Sequence, residues 1–163
     1  KRMNKPIETK ITRYLREQQV AYRLLPHQTP ATTIEDAARQ RGIRPAQMVK
    51  SILLRDMGGQ YALACAPGDR TVDPKKVRAL LGWRRMTCVD LAQVPELTGY
   101  QPGCVAPLLL PVSMPIIFDQ RLLTEPEVTI SSGCHMAGVA LSCHDLVQLC
   151  QPQFGDICRD TAI

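Results

Sequence analysis

The stretch VKSILLRDMGGQYALACA, residues 49–66, decides the fold class of this chain. Its two largely apolar runs, 49–55 and 60–66, are typical of β-strands. Gly58-Gly59 between the runs is a turn signal, and it predicts that the two strands form an antiparallel hairpin. A β-sheet that contains this hairpin is therefore expected, with the other helices and strands packed against it or added to its edges.

Helices and further strands are predicted on both sides of this hairpin. Apolar residues at helical spacing predict a first helix over 8–19, and a capping box at Thr32 and Glu35 predicts a second that ends at Gly42. Capping and breaking residues predict three more, from Asp73-Pro74 to Gly82, from Asp90 to Thr98-Gly99, and from Ser142 onward. Further strands are expected at 21–25, 86–89, 116–119, 128–132 and 139–141, whereas the Pro- and Gly-rich stretch 101–115 fits no regular element. Because helices and strands do not alternate strictly, the sequence predicts an α+β domain.

Size and composition indicate one domain that spans residues 1–163. Hydrophobic residues make up 45% of the chain but aromatic residues only 4%, so aliphatic side chains are expected to fill the core. No apolar run approaches the roughly 20 residues that a transmembrane helix needs. Residues 1–10 are polar and unlike a signal peptide, so a cytoplasmic location and no membrane partner are expected.

The net charge of +5 and the pI near 8.9 fit a polyanionic partner such as RNA without requiring one. The alternative is an ordinary solvated basic face. The chain has neither an RNP-type aromatic motif nor an arginine-rich tail. An RNA partner would therefore be held by its phosphates and by a small pocket for its end. No DNA partner is expected.

Seven cysteines are spread through the chain without any Cys-x-x-Cys pair, so neither a metal site nor a redox motif is expected. Free thiols in apolar surroundings are the better interpretation. Cys104 or Cys134 with His135 could form a thiol hydrolase, although nothing in the sequence indicates a stabilised thiolate. A serine hydrolase is disfavoured, because Gly-x-Ser-x-Gly is absent from the sequence.

Three segments could carry chemistry, and each of them also has an ordinary structural interpretation. Lys50, at the start of a strand, either extends its ammonium group to solvent or holds a point charge at the rim of a pocket. The loop 103–107 is either a tight connection or a source of backbone N–H groups for a developing oxyanion. His27, which opens the polar stretch 27–33, is either a loop histidine or part of a pocket wall.

Five motifs follow one another along the chain: TTIEDAA at 32–38, QMVKSILL at 47–54, DPKKV at 73–77, LTGYQPGCVAP at 97–107 and ISSG at 130–133. Their order and spacing resemble the YbaK/prolyl-tRNA synthetase editing-domain family, in its free-standing members, over nearly the whole chain. The resemblance implies a mixed, mainly antiparallel sheet that is partly barrel-like and flanked by helices.

The same resemblance implies trans-editing, which is hydrolysis of the ester of a mischarged aminoacyl-tRNA. The substrate implied is tRNA-Pro that carries a small amino acid such as Ala, Cys, Ser or Thr. The implied partners are the acceptor end of the aminoacyl-tRNA and prolyl-tRNA synthetase, without any cofactor or metal. The alternative is a non-catalytic module of the same fold that binds the tRNA end or has a regulatory role.

The family's functional positions fall on named residues of this chain. Lys50 matches a lysine that contacts the phosphate or acyl region of the substrate. The expected loop around the scissile carbonyl consists of Gly103, Cys104, Val105, Ala106 and Pro107. The expected substrate-binding residues are His27, Thr33, Ser131, Ser132, Gly133 and His135. His27 stands where cysteinyl-tRNA deacylases carry a tyrosine, Cys104 where a glycine is common and Ala106 where a serine is common, so cysteine specificity is not implied.

Overall fold

The structure, a computed structural model, describes residues 7–160. Its helices are α1 (Lys10–Glu17), α2 (Ile34–Arg41), α3 (Pro74–Leu81), α4 (Val94–Thr98) and α5 (Cys143–Cys150). Its strands are β1 (Tyr22–Pro26), β2 (Val49–Asp56), β3 (Tyr61–Pro67), β4 (Met86–Cys88), β5 (Ile116–Asp119), β6 (Glu127–Ser131), β7 (Ala137–Ser142) and β8 (Gln153–Gly155). Within that range no helix is both long and apolar enough to cross a bilayer. Residues 1–6 of the predicted polar N-terminal segment lie outside it.

The strands form two sheets, which an isolated pairing of Met48 with Thr129 connects. The smaller sheet is antiparallel and has the order β1-β7-β6. The larger sheet has the order β4-β2-β3-β5-β8, in which β4, β2 and β3 are antiparallel while β3, β5 and β8 run parallel. The predicted α+β domain with mainly antiparallel strands is confirmed, but the strands divide between two sheets, and they close no barrel within residues 7–160.

The hairpin of β2 and β3 is confirmed, and its two faces are both buried. Leu53 and Leu63 point into the larger core with α1, while Leu54 and Ala62 point into a second core with α3. Burial on both faces explains why the two runs of the hairpin are nearly continuously apolar. Helices α1 and α3 consequently lie on opposite sides of the five-stranded sheet.

Most predicted helix ends are confirmed by the side chains that cap them. Asp73 accepts a hydrogen bond from the N–H of Lys75 at 3.0 Å, and Ser142 accepts one from the N–H of Asp145 at 3.0 Å. The predicted cap at Thr32 is wrong by one residue. Because α2 begins at Ile34, the capping hydroxyl is that of Thr33, which accepts from the N–H of Asp36 at 3.0 Å.

The segment from Asp90 is also corrected in part, because Asp90 caps a 3-10 turn over Leu91–Gln93 that precedes α4. Short 3-10 turns over Pro45–Gln47 and Gln120–Thr124 were not predicted. The stretch 101–115 is irregular, as expected from its Pro and Gly content.

Strand β8 was not predicted. The buried carboxylate of Asp119 on β5 binds the backbone that follows β8. Asp119, at the end of β5, is 0% exposed and accepts hydrogen bonds from the N–H groups of Arg121 at 2.9 Å and Ile157 at 3.0 Å. The guanidinium group of Arg121 lies 3.1 Å from Asp119 and 3.2 Å from Asp156. Burial alone would raise the pKa of Asp119, but these hydrogen bonds outweigh it and hold the pKa below its ordinary value.

Replacing Asp119 by asparagine should destabilise the fold, because the N–H of Ile157 and the guanidinium group lose a charged acceptor. We expect Asp119→Asn to lower the free energy of unfolding by about 1.5–3 kcal/mol at neutral pH. Since the folded pKa is lowered, this stabilisation is present above the unfolded pKa of about 3.9 and is lost as the pH falls through the lower folded pKa. Urea titrations of both proteins at several pH values measure the difference, which should shrink below about pH 4. A constant difference down to pH 3 would contradict the role of the charge.

Candidate active site

Two adjoining cavities lie between α2, β2 and the loop 103–107. The first, of about 330 Å³, is named the β2 cavity because residues 49–53 of that strand line it. The second, of about 410 Å³, is named the histidine cavity because His27 and His135 line it. Both cavities share the residues Ile34, Arg41, Met48, Pro102, Gly103 and Ser131. The two cavities therefore form one continuous cleft with a common wall.

The β2 cavity exists because β4 pairs with only part of its neighbour. The register of β4 covers Leu54–Asp56 of β2, so the edge of β2 at 49–53 has no neighbouring strand there and borders the cavity. Most of the lining is apolar, and it includes Ile52, Leu53, Val89, Leu91, Val94 and Val105. The charged lining residues are Lys50 and Arg41. Two cations thus face a partly dry space, in which electrostatic interactions are stronger than in water.

The amine of Lys50 is held by the backbone of the neighbouring loop. Its Nζ donates a hydrogen bond to the carbonyl oxygen of Arg70, and the side chain is half-buried. Burial lowers the pKa of Lys50, and this effect outweighs the opposite influence of Cys158, Asp69 and Glu35. The lysine is thereby oriented, and its ammonium group is less hydrated than that of a surface lysine.

The loop 103–107 is fixed by two hydrogen bonds and leaves the N–H groups of Gly103, Val105 and Ala106 without an acceptor within residues 7–160. The N–H of Cys104 donates to the carbonyl of Gln101 at 2.9 Å, and the carbonyl of Cys104 accepts from Ser131 Oγ at 2.8 Å. Gly103 and Val105 line the β2 cavity, and their N–H groups donate to no acceptor within residues 7–160. Gly103 adopts a left-handed φ of +84°, which a residue with a side chain rarely does.

The structure separates the other members of the predicted loop from the cavity. Cys104 is 1% exposed and Ala106 is 0% exposed, and Pro107 is also buried. The amide of Cys104 is already used in the turn, so it cannot serve as an oxyanion donor. Among the loop N–H groups that have no acceptor, those of Gly103 and Val105 belong to residues that line the β2 cavity.

Three of the predicted substrate-binding residues at the end of β6 have different surroundings. Ser131 lines both cavities and accepts a hydrogen bond from the N–H of Gly133 at 2.9 Å. Ser132 is buried, donates to the carbonyl of Ala137 at 2.6 Å and lines neither cavity. Gly133 also lies outside both linings and faces the ring of Tyr100. Ser131 is therefore the member of this strand end that a ligand in the cleft can contact.

Thr33, His27 and His135 are brought together in the histidine cavity. The hydroxyl of Thr33 caps α2, and His135 is exposed at the rim. His27 is 6% exposed, and its Nδ1 lies 2.7 Å from the carbonyl oxygen of His135. The loop that contains His27 thus folds against the cleft, which the sequence alone could not establish.

Arg41 is the residue of this cleft that the sequence did not reveal. Its Nε donates to His27 Nε2 at 3.1 Å, and its Nη1 donates to Thr129 Oγ1 at 3.1 Å. Because His27 Nε2 accepts this bond, its Nδ1 carries the proton and donates to His135. Burial, with a contribution from the charge of Arg41, lowers the pKa of His27 despite the bond to His135, so the ring is held neutral.

The positive charge of Arg41 has no carboxylate partner within residues 7–160. Burial lowers the pKa of Arg41 to about 10, so the group remains charged at neutral pH. A side chain on Gly138 would overlap the guanidinium group, and the glycine there provides the space. In the sequence, Arg41 has the ordinary position of a basic residue in the last turn of a helix before Gly42, so no signal distinguished it.

Nucleophiles and acids in the cleft are few. Neither lining contains an Asp or Glu, and no group of three or more His, Cys, Asp or Glu side chains in residues 7–160 is arranged to hold a metal ion. All seven cysteines are free, and four are buried while Cys88 is exposed. Burial raises the pKa of the Cys104 thiol to about 11. The arrangement therefore suits electrostatic stabilisation of an anion better than attack by a protein nucleophile.

Comparison with known proteins places this geometry in a family. The model of an aminoacyl-tRNA editing domain matches residues 28–149. The chain is 28% identical over 158 residues to the uncharacterized protein YwhH of Bacillus subtilis, an alignment that covers 96% of this chain and 97% of YwhH. It is 33% identical over 93 residues to the proline–tRNA ligase of Bacillus licheniformis, which covers 57% of this chain but 16% of the ligase.

Among solved structures, the chain matches a protein described as "a putative trans-editing enzyme for prolyl tRNA synthetase". The TM-score is 0.81 and the sequence identity 25%, and the match covers 95% of this chain and 100% of the other. The segment matched by the family model contains Arg41, Lys50, Gly103 and Ser131. From the match over most of its length and the shared fold, the chain belongs to the aminoacyl-tRNA editing domain family.

Proposed function

We propose that this chain hydrolyses, in trans, the ester bond of a mischarged aminoacyl-tRNA. The observation that carries the proposal is the composition of the β2 cavity. Gly103 and Val105, whose N–H groups have no acceptor within residues 7–160, line the same cavity as Lys50, whose ammonium group is partly desolvated. Such donors stabilise the oxyanion that forms when an ester carbonyl is attacked.

The reaction needs no nucleophile from the protein. Water adds to the ester carbonyl, and the two N–H groups stabilise the oxyanion. As the tetrahedral intermediate collapses, the proton given up by the water passes to the departing ribose oxygen, which leaves as the terminal hydroxyl. An oxyanion donor is worth roughly 2.7–4 kcal/mol in a well-studied protease. The cations of Lys50 and Arg41 favour the same negative charge, and neither lining contains an Asp or Glu that would pair with them.

The shared wall is the natural position for the ester, because both cavities open onto it. The terminal nucleoside then occupies the apolar β2 cavity, and the amino-acid side chain occupies the histidine cavity beside His27, Thr33 and His135. The likeness to proline–tRNA ligases supports tRNA-Pro with a small amino acid, such as Ala, Cys, Ser or Thr, as the substrate. Prolyl-tRNA synthetase in the cytoplasm would supply this substrate whenever it attaches the wrong amino acid to tRNA-Pro.

A thiol mechanism through Cys104 is disfavoured by the same structure. The thiol is buried, its pKa is raised to about 11, and Cys104 lines neither cavity. Cys134 lies in the histidine cavity, with its Sγ 3.4 Å from the hydroxyl of Ser132. Burial of the Cys104 thiol disfavours the thiolate that a cysteine nucleophile requires.

Removing the charge of Lys50 should slow the chemical step. We expect Lys50→Met, which keeps the length of the side chain, to lower kcat for mischarged tRNA-Pro by about 100-fold or more, with a smaller change in KM. Lys50→Arg retains the charge in a different shape and should retain intermediate activity. A panel of tRNA-Pro charged with Ala, Cys, Ser or Thr measures both parameters, and urea unfolding checks the fold. Undiminished turnover by Lys50→Met would contradict the assignment, and tight binding without hydrolysis by the wild type would favour a non-catalytic module.

Removing the charge of Arg41 should have two measurable effects. We expect Arg41→Met to lower kcat by about 10-fold or more, because the field over the shared wall weakens. The pKa of His27 should rise, because the neighbouring positive charge is lost. NMR titration of the His27 ring measures this shift independently of activity. Arg41→Lys is the matched control that keeps the charge, and an unchanged kcat together with an unchanged His27 titration would contradict the role of Arg41.

Removing either thiol should have little effect on turnover. We expect Cys104→Ala and Cys134→Ala to remain close to the wild type, because water is the nucleophile. Loss of a true nucleophile would cost several orders of magnitude in kcat. Complete inactivation by either substitution would establish a thiol hydrolase instead.

A further inference from the structure

A third cavity, of about 310 Å³, lies between α3 and β4 and outside the candidate active site. Four of its lining residues are basic, namely Lys75, Arg78, Arg85 and Arg159. Its one acidic lining residue, Asp73, is engaged as the cap of α3. We name this space the basic cavity.

The four cations of the basic cavity form no ion pair within residues 7–160. Elsewhere in the described chain, basic residues are often paired. Arg23 contacts Glu127 at 2.7 Å, Arg44 contacts Glu125 at 2.6 Å, and Lys76 contacts Asp160 at 3.0 Å. The lining of the basic cavity thus carries four cations and one carboxylate, and this excess of positive charge raises the local concentration of an anionic ligand.

Strand β4 connects the basic cavity with the candidate active site. Met86 and Thr87 line the basic cavity, whereas Cys88 and Val89, which follow them directly, line the β2 cavity. Four consecutive extended residues span about 10 Å, so the two cavities are neighbours along one strand. A polymer whose end lies in the β2 cavity can reach the basic cavity within a few nucleotides.

From this arrangement we propose that the basic cavity binds phosphates of the tRNA acceptor strand, close to its esterified end. The inference rests on the proposed function and adds to it the path of the RNA. Three of the four cations are arginines, whose planar guanidinium groups pair bidentately with phosphate. No aromatic side chain lines the cavity, so bases do not stack there, and the contact is to the backbone and independent of sequence.

The test compares two substrates that share an ester but differ in phosphates. For the combined variant Lys75→Glu, Arg85→Glu and Arg159→Glu, we expect KM for aminoacyl-tRNA to rise by about 10-fold or more with kcat nearly unchanged. Hydrolysis of 3′-aminoacyl adenosine, which has no phosphate, should be unchanged. All three side chains are exposed, so the substitutions should leave the fold intact.

Binding of uncharged tRNA, followed by fluorescence anisotropy over a range of salt concentrations, is the second measurement. We expect the slope of log K against log salt to become shallower by about 0.7–0.9 for every phosphate contact that is lost. Arg13→Glu is the matched control for Arg85→Glu, because Arg13 is exposed on α1, on the opposite side of the five-stranded sheet. The control should bind tRNA more tightly than Arg85→Glu does, and Arg85→Lys should bind like the wild type.

The outcomes separate this inference from the proposed function. If the wild type hydrolyses neither ester, the proposed function fails, while the anisotropy still decides whether the basic cavity binds RNA. Unchanged affinity and salt slope in the combined variant would overturn the inference. An equal loss with 3′-aminoacyl adenosine would overturn it too, because the substitutions would then act on the active site and not on phosphate binding.

Discussion

The cleft depends on the junction between the two sheets, where Met48 pairs with Thr129. Met48 precedes β2 and lines both cavities, and the hydroxyl of Thr129 on β6 accepts a hydrogen bond from Arg41 at 3.1 Å. Two residues further along β6, the hydroxyl of Ser131 donates a hydrogen bond to the carbonyl of Cys104 and so attaches loop 103–107 to the same strand end. Because one strand end positions Arg41 and loop 103–107, the cations and the backbone donors are placed relative to one another by the fold itself and not by flexible side chains.

The chemistry of the cleft follows from the excess of positive over negative charge among its lining side chains. A nucleophilic triad combines a base with a carboxylate that orients it, but neither lining contains a carboxylate. His27 is held neutral mainly by its burial, and its Nε2 already accepts the hydrogen bond from Arg41. What remains is a partly dry space with two cations and two backbone N–H groups. That set stabilises negative charge wherever it develops, and an aminoacyl ester, which is already activated, requires little more than this from a hydrolase.

Sequence patterns were informative where a short local interaction determines the structure. The hairpin at 49–66 and the caps at Asp73 and Ser142 depend on neighbours in the sequence, and they were predicted correctly. Strand β8 depends on Asp119, which is distant in the sequence and carries no periodic signal. Arg41 was missed because its position before Gly42 is that of an ordinary helix end. Its neighbours His27, Thr129 and Gly138 come from other elements, so only the folded chain shows the cluster.

Buried cations without an ion-pair partner lower the stability of the fold, and their position in the cleft offers a functional reason for that loss. Burial of Arg41 without a carboxylate opposes folding, as does desolvation of Lys50, and an apolar residue at either position would pack at a lower cost. Positions that break a local rule of stability in this way are most often functional. The unpaired charges of the described chain include three groups that follow one another: Arg41 in the shared wall, Lys50 in the β2 cavity, and the basic cavity beyond β4. Paired charges such as Arg23 with Glu127 and Arg44 with Glu125 lie outside all three linings. Cations grouped in this way suit a ligand with a chain of phosphates that ends in an ester.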